Sequence, residues 1–287
     1  MGQQPIIAKS QLISDLRALG LAEGQTVMLH ASVKNIGWIV GGPDVVIEAV
    51  LEVVGEDGTL MMLTSWEDIP HGLASWPKDR QEAYLAECPA FDPARSRADH
   101  RHMSILAEYL RTRPHSYRSR HPYGYAAVGK RAEWITSEQP WQYREGKGSP
   151  LEKLCEASGY VVVLGAPLAN VTLLHHSEHI AKVPNKRVDR YKMPILRDGR
   201  RTWVEFEEYD TSHGIVDWPD DYFETIIHEY LAAGNGRTGR VGAADAYQFG
   251  AASLNAFAIR WMEEHFNQAR DTSSMGPEGT TDDGRRP

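Results

Sequence analysis

The stretch His175–His179 reads HHSEH, three histidines, a serine and a glutamate in five consecutive residues. Its flanks have helical spacing. On a helix His175 stands three residues before Glu178 and four before His179, so both pairs share one face. Three readings fit this pattern. An imidazole beside a carboxylate accepts a proton from an amine or hydroxyl, and the carboxylate orients the ring and balances the cation that forms. The order H-x-x-E-H of His175, Glu178 and His179 is also a metal-ligand spacing, which would need a third ligand from elsewhere in the chain. With 12 histidines available, the presence of a candidate third ligand decides nothing. The last reading is a polar decoration of a solvated helix face.

Two further clusters carry charge. Arg118, Ser119 and His121, together with Lys34, could grip a phosphate or pyrophosphate, or could form a solvated basic loop. The chain has neither a GxxxxGK[ST] loop nor a dinucleotide fingerprint. A nucleotide in a Gly-rich cradle is therefore disfavoured, and a CoA-like ligand held by side chains and loop amides stays open. Between Arg201 and Arg237 there is no Lys or Arg, while Glu205, Glu207, Glu208, Asp210, Asp217, Asp220 and Asp221 accumulate. Some cap a helix, and the rest could line a pocket for a polycation. Glu67 and Asp68 follow Trp66, a combination suited to an amino-sugar ring with apolar faces and ammonium edges.

The elements that must position these residues alternate. SQLISDLRALG reads as a helix stopped by Gly20, TVMLHAS as a buried strand, GGPDVVIEAVLEVVG as a helix and GTLMMLTSW as a second strand. GYVVVLGAP is a third buried strand, leading into the His175 helix. This order predicts an α/β fold with a mainly parallel central sheet. In such sheets ligands bind beyond the carboxyl ends of the strands. Those junctions are His30–Lys34, Ser65–Asp68 and Gly165–His175. Residues 67–101 break the pattern with four prolines and read as a long substrate-side excursion. Asp198-Gly199 marks a hairpin turn. A final amphipathic helix ends near Phe266. Residues 268–287 are polar and rich in Gly and Pro, and are expected to be disordered.

Composition sets outer bounds. A net charge of −8 speaks against a general nucleic-acid-binding role. The two cysteines, Cys88 and Cys155, form no CxxC, so a reducing, cytoplasmic setting is expected without a disulfide framework. No apolar run reaches membrane-spanning length, so no membrane association is expected.

In order and spacing, MLHASVKNIG, SW, FDP, RSRHPYGYAAVG, GSPLEKL, VVLGAPLANVTLLHHSEHIAKVPNKR and YDTSHGIVD resemble the aminoglycoside 3-N-acetyltransferases of the antibiotic N-acetyltransferase family, which are distinct from the GNAT enzymes. The resemblance runs from about Lys9 to Phe266. It implies an α/β/α layered sandwich with an added substrate-side region: one acetyltransferase domain over residues 1–267, with 67–101 and about 200–240 on the substrate side. It implies acetyl-CoA as co-substrate, an aminoglycoside as acceptor, and no metal. The family's L-H-x-x-E motif falls on Leu174, His175 and Glu178, which makes His175 and Glu178 the catalytic pair. By the same resemblance Ala31, Ser32, Val33, Lys34, Arg118, Ser119 and His121 bind CoA, and Glu67, Asp68, Asp210 and Asp217 meet the drug's ammonium groups. Ser32 or Thr172 is a candidate donor to the oxyanion. His213 stands where relatives carry Asn. Another amino sugar as acceptor, or a metal hydrolase using His175, Glu178 and His179, are the alternatives, and the protein is expected as a monomer or homodimer.

Overall fold

The computed structural model describes residues 5–68, 73–101, 103–210, 213–218 and 221–273. Seven strands form one sheet, in the order Arg237–Val241, Ala244–Gly250, Tyr160–Leu164, Thr26–Ala31, Thr59–Leu63, Tyr125–Gly129 and Tyr117–Arg118. Thr26–Ala31 pairs in parallel with both its neighbours. The other pairings are antiparallel. The parallel character expected from sequence is thus confined to the three central strands. At each edge the two outermost strands form a local hairpin, whose short connection forces antiparallel pairing. Arg237–Val241 and Ala244–Gly250 carry charged and glycine residues and give no apolar run, so periodicity did not mark them.

The central strands are apolar on both faces because both are covered. Met28, Met61, Val161 and Val163 pack into one core with residues of the helices Pro150–Glu156, Leu173–Ile180, Tyr222–Ala232 and Ala251–Ser273. Val27, Leu29, Leu60, Met62, Val162 and Leu164 face the other side, against the helices Lys9–Leu19, Asp44–Val54 and Ile105–Arg111. This is the α/β/α sandwich. The first helix buries Leu12, Leu16 and Leu19 and stops where Gly20 takes a φ of 113°, a left-handed cap that glycine adopts without steric cost.

The excursion after Leu63 contains the helix Lys78–Glu87. It packs against the hairpin of Val188–Arg197 and Arg200–Tyr209. Trp66, Cys88, Phe91, Met193, Ile195 and Phe206 form a small third core there. The Asp198-Gly199 turn has φ of 48° and 72°, the two positive values a type I′ hairpin requires. The last helix continues to Ser273, beyond the boundary expected near Phe266, and residues 274–287 lie outside the described residues. Among the described residues no helix is long and apolar enough to cross a membrane.

Candidate active site

The three parallel strands end at one cleft of about 570 Å³. Its walls include His30 and Ala31 at the end of the first strand, Leu63 at the end of the second with Ser65 just beyond, and Ala166, Asn170 and Thr172 after the third. His175 and Glu178 also line it.

The helix Leu173–Ile180 is not a solvated face. Leu173, Leu174, His176, Ser177 and Glu178 are all buried, and each polar member is tied down. His175 Nδ1 lies 2.7 Å from Glu178 Oε2. His176 Nδ1–H donates to the Glu145 carbonyl at 2.7 Å, and burial lowers its pKa. Ser177 Oγ donates to Asn255 at 2.7 Å. His179 donates from Nδ1 to the His175 carbonyl and from Nε2 to Glu208, both at 2.6 Å. With both its nitrogens used, His179 has none to offer a metal beside His175, which corrects the metal-hydrolase alternative.

Glu178 is 1% exposed, and a buried carboxylate needs partners for both oxygens. Oε2 faces His175, and Oε1 accepts the Tyr222 hydroxyl proton. Burial and the Glu178 charge hold Tyr222 protonated by raising its pKa well above the usual range. The same hydroxyl oxygen accepts the Ile215 amide at 3.1 Å. Phe223, the next residue, sets its ring 4.8 Å from the His175 ring. The helix Tyr222–Ala232, capped by Asp221 through the Phe223 amide, therefore steadies both members of the pair. Gly214, with a φ of 79°, passes so close that a Cβ would sit 2.8 Å from the Tyr222 ring.

Beneath the cleft lies a buried ionic network. Arg144 donates to Glu208 at 2.9 Å, and Glu145 accepts the Tyr125 hydroxyl at 2.9 Å. Arg144 also stacks 4.3 Å over the Tyr123 ring. Burial pushes the Glu145 carboxyl up, against the charge of Arg144. Burial acts on Glu208 in the same sense, but the hydrogen bond from His179 and the Arg144 charge hold its pKa down at about 2.

Of the residues expected to hold CoA, Ala31 lines the cleft; Ser32, Val33 and Lys34 follow it on the short helix that opens there. Arg118, Ser119 and His121 make their hydrogen bonds inside the protein, while Arg118 Nε and His121 Nε2 have no partner among the described residues. Arg118 donates to the carbonyls of Thr64 at 2.7 Å, Pro93 at 3.4 Å and Ser96. Burial brings its pKa down to about 10. Ser119 is 1% exposed, donating to Gln139 at 2.7 Å and accepting the Tyr125 amide at 2.9 Å. His121, 2% exposed, accepts the Tyr123 amide at 3.0 Å. Their RSRH pattern reads as a basic patch because a linear sequence does not show burial.

The four expected substrate carboxylates do not line the cleft either. Glu67 faces Arg97 and His100. Asp68 gives its carbonyl to the Tyr84 hydroxyl. Asp217, fully exposed, pairs with Arg187 at 2.6 Å. Asp210 accepts the His213 amide at 2.9 Å and so holds His213, which does line the cleft. The carboxylates that reach the cleft are Glu145, Glu178 and Asp221. Asp221 was readable in sequence only as a helix cap.

The family model described as aminoglycoside 3-N-acetyltransferase matches residues 28–263. The chain belongs to this family. Membership makes it an acyltransferase. It is 47% identical over 269 residues to aminoglycoside N(3)-acetyltransferase III of Pseudomonas aeruginosa, covering 93% of this chain and 96% of that one. Its fold is similar to that of aminoglycoside acetyltransferase AAC(3)-Xa, with a TM-score of 0.86 and 43% identity, over 92% of this chain and 95% of that one. A solved complex of AAC-IIIb with CoASH superposes with a TM-score of 0.83 and 41% identity, over 91% and 98% of the two chains. His175 and Glu178 lie on the cleft wall, and Leu174 packs in the core behind them.

Proposed function

We propose that the protein transfers an acetyl group from acetyl-CoA to the 3-amino group of the 2-deoxystreptamine ring of an aminoglycoside, with His175 as general base and Glu178 as its orienting carboxylate. The observation that carries this reading is the 2.7 Å contact between His175 Nδ1 and Glu178 Oε2. Glu178 fixes the proton on Nδ1, so the lone pair is on Nε2.

The amine of the acceptor is mostly protonated at neutral pH. His175 Nε2 takes a proton from it, and Glu178 balances the imidazolium. The freed nitrogen attacks the thioester carbonyl carbon, the C–S bond breaks, and the nitrogen gives up its second proton; of the two protons lost, one passes to the leaving thiolate and the other to solvent. No covalent enzyme intermediate is needed, and neither Cys88 nor Cys155 lines the cleft. Asp221, exposed at the cleft, gives the acceptor's other ammonium groups a negative charge to meet. N-acetylation removes one cationic donor from a drug whose hold on ribosomal RNA depends on them, and so confers resistance. The protein acts in the cytoplasm, as a monomer or homodimer.

The test is His175→Ala, assayed by thiol release from acetyl-CoA against a panel of aminoglycosides. Turnover is expected to fall about 10²–10⁴-fold, the usual worth of a general base, with CoA binding retained. Near-normal turnover would overturn the assignment.

A further inference from the structure

Besides Arg144 Nε, which faces Glu145 at 3.5 Å, two side-chain atoms on the cleft wall have no hydrogen-bond partner among the described residues. His30 Nε2 and Ser65 Oγ are both buried and make no hydrogen bond among the described residues, and Ser65 is 1% exposed. Buried polar groups are almost always paired, and one left unpaired costs free energy. Two on the wall of one cleft point to a ligand as the missing partner.

The sheet puts them together. Val27 pairs with Leu60 and Met28 with Met61, and this register continued sets His30 beside Leu63, with Ser65 two residues on. Alternation along a strand places Met28 and His30 on one face, and Met61 and Leu63 on that same face. This is the face covered by Leu173 and Leu174, whose helix carries His175. His30 and Ser65 thus sit at the carboxyl ends of adjacent parallel strands, on the side of the base.

We propose that His30, through Nε2–H, and Ser65, through Oγ–H, are the donors that receive the carbonyl oxygen of the acyl thioester. This rests on the acetyltransferase reading above. As the amine attacks the carbonyl carbon, the π electrons move onto this oxygen. The two donors hold the charge until the C–S bond breaks and the C=O re-forms. Donors already aimed at a developing oxyanion in a site shielded from water supply the largest single part of many rate enhancements. An uncharged imidazole has a precedent as such an electrophile. Burial, with the nearby His175, depresses the His30 pKa to about 4, so the ring is neutral at working pH and does not compete with the base for charge. Neutral donors suit a carbonyl. The acceptor's ammonium groups have the carboxylate of Asp221 instead. Ser32, the other hydroxyl near this strand end, starts the short helix that follows and is not among the cleft-lining groups.

The test uses His30→Ala, His30→Gln and Ser65→Ala. Two ligands are titrated by calorimetry: CoASH, and the ketone analogue of acetyl-CoA in which a methylene replaces sulfur. The wild type is expected to prefer the ketone. His30→Ala and Ser65→Ala are expected to lose that preference while binding CoASH normally. kcat should fall about 10²-fold for His30→Ala and Ser65→Ala, with the aminoglycoside KM unchanged. His30→Gln, which keeps an N–H donor, should recover part of both losses. Retained ketone preference and kcat in His30→Ala and Ser65→Ala would overturn the proposal. So would an aminoglycoside KM raised tenfold with ketone binding intact, which would assign the pair to the acceptor amine. Absence of thiol release by the wild type with every aminoglycoside would sink the acetyltransferase reading, and the ketone titration would still decide the subsite.

Discussion

Tyr222 gives its hydroxyl proton to Glu178, the carboxylate that faces His175, and accepts the Ile215 amide on the same oxygen. One phenol thereby joins the His175–Glu178 pair to the loop that carries His213 and Gly214 into the cleft.

Tyr222→Phe tests this link. It removes one donor from Glu178 and leaves the Ile215 amide unpaired. The expected cost is about 1–3 kcal/mol of stability, that of an unsatisfied buried group. With one donor fewer, the carboxylate pairs more strongly with the His175 imidazolium. The acid limb of kcat/KM should therefore move to higher pH, and kcat should fall about tenfold as the pair loses its fixed geometry. A drop in stability with an unmoved limb would reduce Tyr222 to a packing role.

Acid should weaken the fold in two windows. Burial depresses His121 to about 3, so its stabilising neutral form is fully present above about 6.5, the unfolded value. That contribution is lost as pH falls from there toward 3. Glu208, held at about 2 by His179 and Arg144 against burial, contributes above about 4.5 and loses its contribution as pH falls toward 2. Thermal melts against pH should show both declines, and Glu208→Gln should flatten only the lower one. An equally steep lower window in that variant would rule out the Glu208 assignment.

Asp221 and Asp217 make a discriminating pair. Asp221→Asn keeps a good N-cap but removes a carboxylate from the cleft wall. The aminoglycoside KM should rise about fivefold, near the 1 kcal/mol of an exposed ion pair, with kcat held. Asp217→Asn, at an exposed pair with Arg187 away from the cleft, should leave KM unchanged. Steady-state kinetics with one drug checks both, and the opposite ranking would return the substrate role to Asp217.

Arg118 is expected to matter for folding rather than for CoA. Arg118→Ala strips donors from the carbonyls of Thr64, Pro93 and Ser96 and should cost about 3 kcal/mol. The acetyl-CoA KM of the folded variant should stay within twofold. A large rise in that KM at unchanged melting temperature would restore the phosphate-binding reading.

The sequence by itself determined the layered core and the contact between His175 and Glu178. Strands such as Thr26–Ala31 and Tyr160–Leu164 are apolar on both faces, which only a sheet covered on both sides accommodates. The three-residue spacing of His175 and Glu178 fixes their contact as soon as a helix forms, since it is local. Tertiary structure decided what depends on distant residues meeting. Arg118, Ser119 and His121 look like an exposed basic segment until packing against the excursion and the hairpin buries them. Asp221 reaches the cleft, while Glu67 and Asp217 are taken up by Arg97, His100 and Arg187, because side-chain pairing follows the fold and not the local density of charge. Tyr222 stands 44 residues beyond Glu178, and His30 and Ser65 come together only through strand register. No local pattern encodes either meeting, because register is set by the packing of the whole sheet.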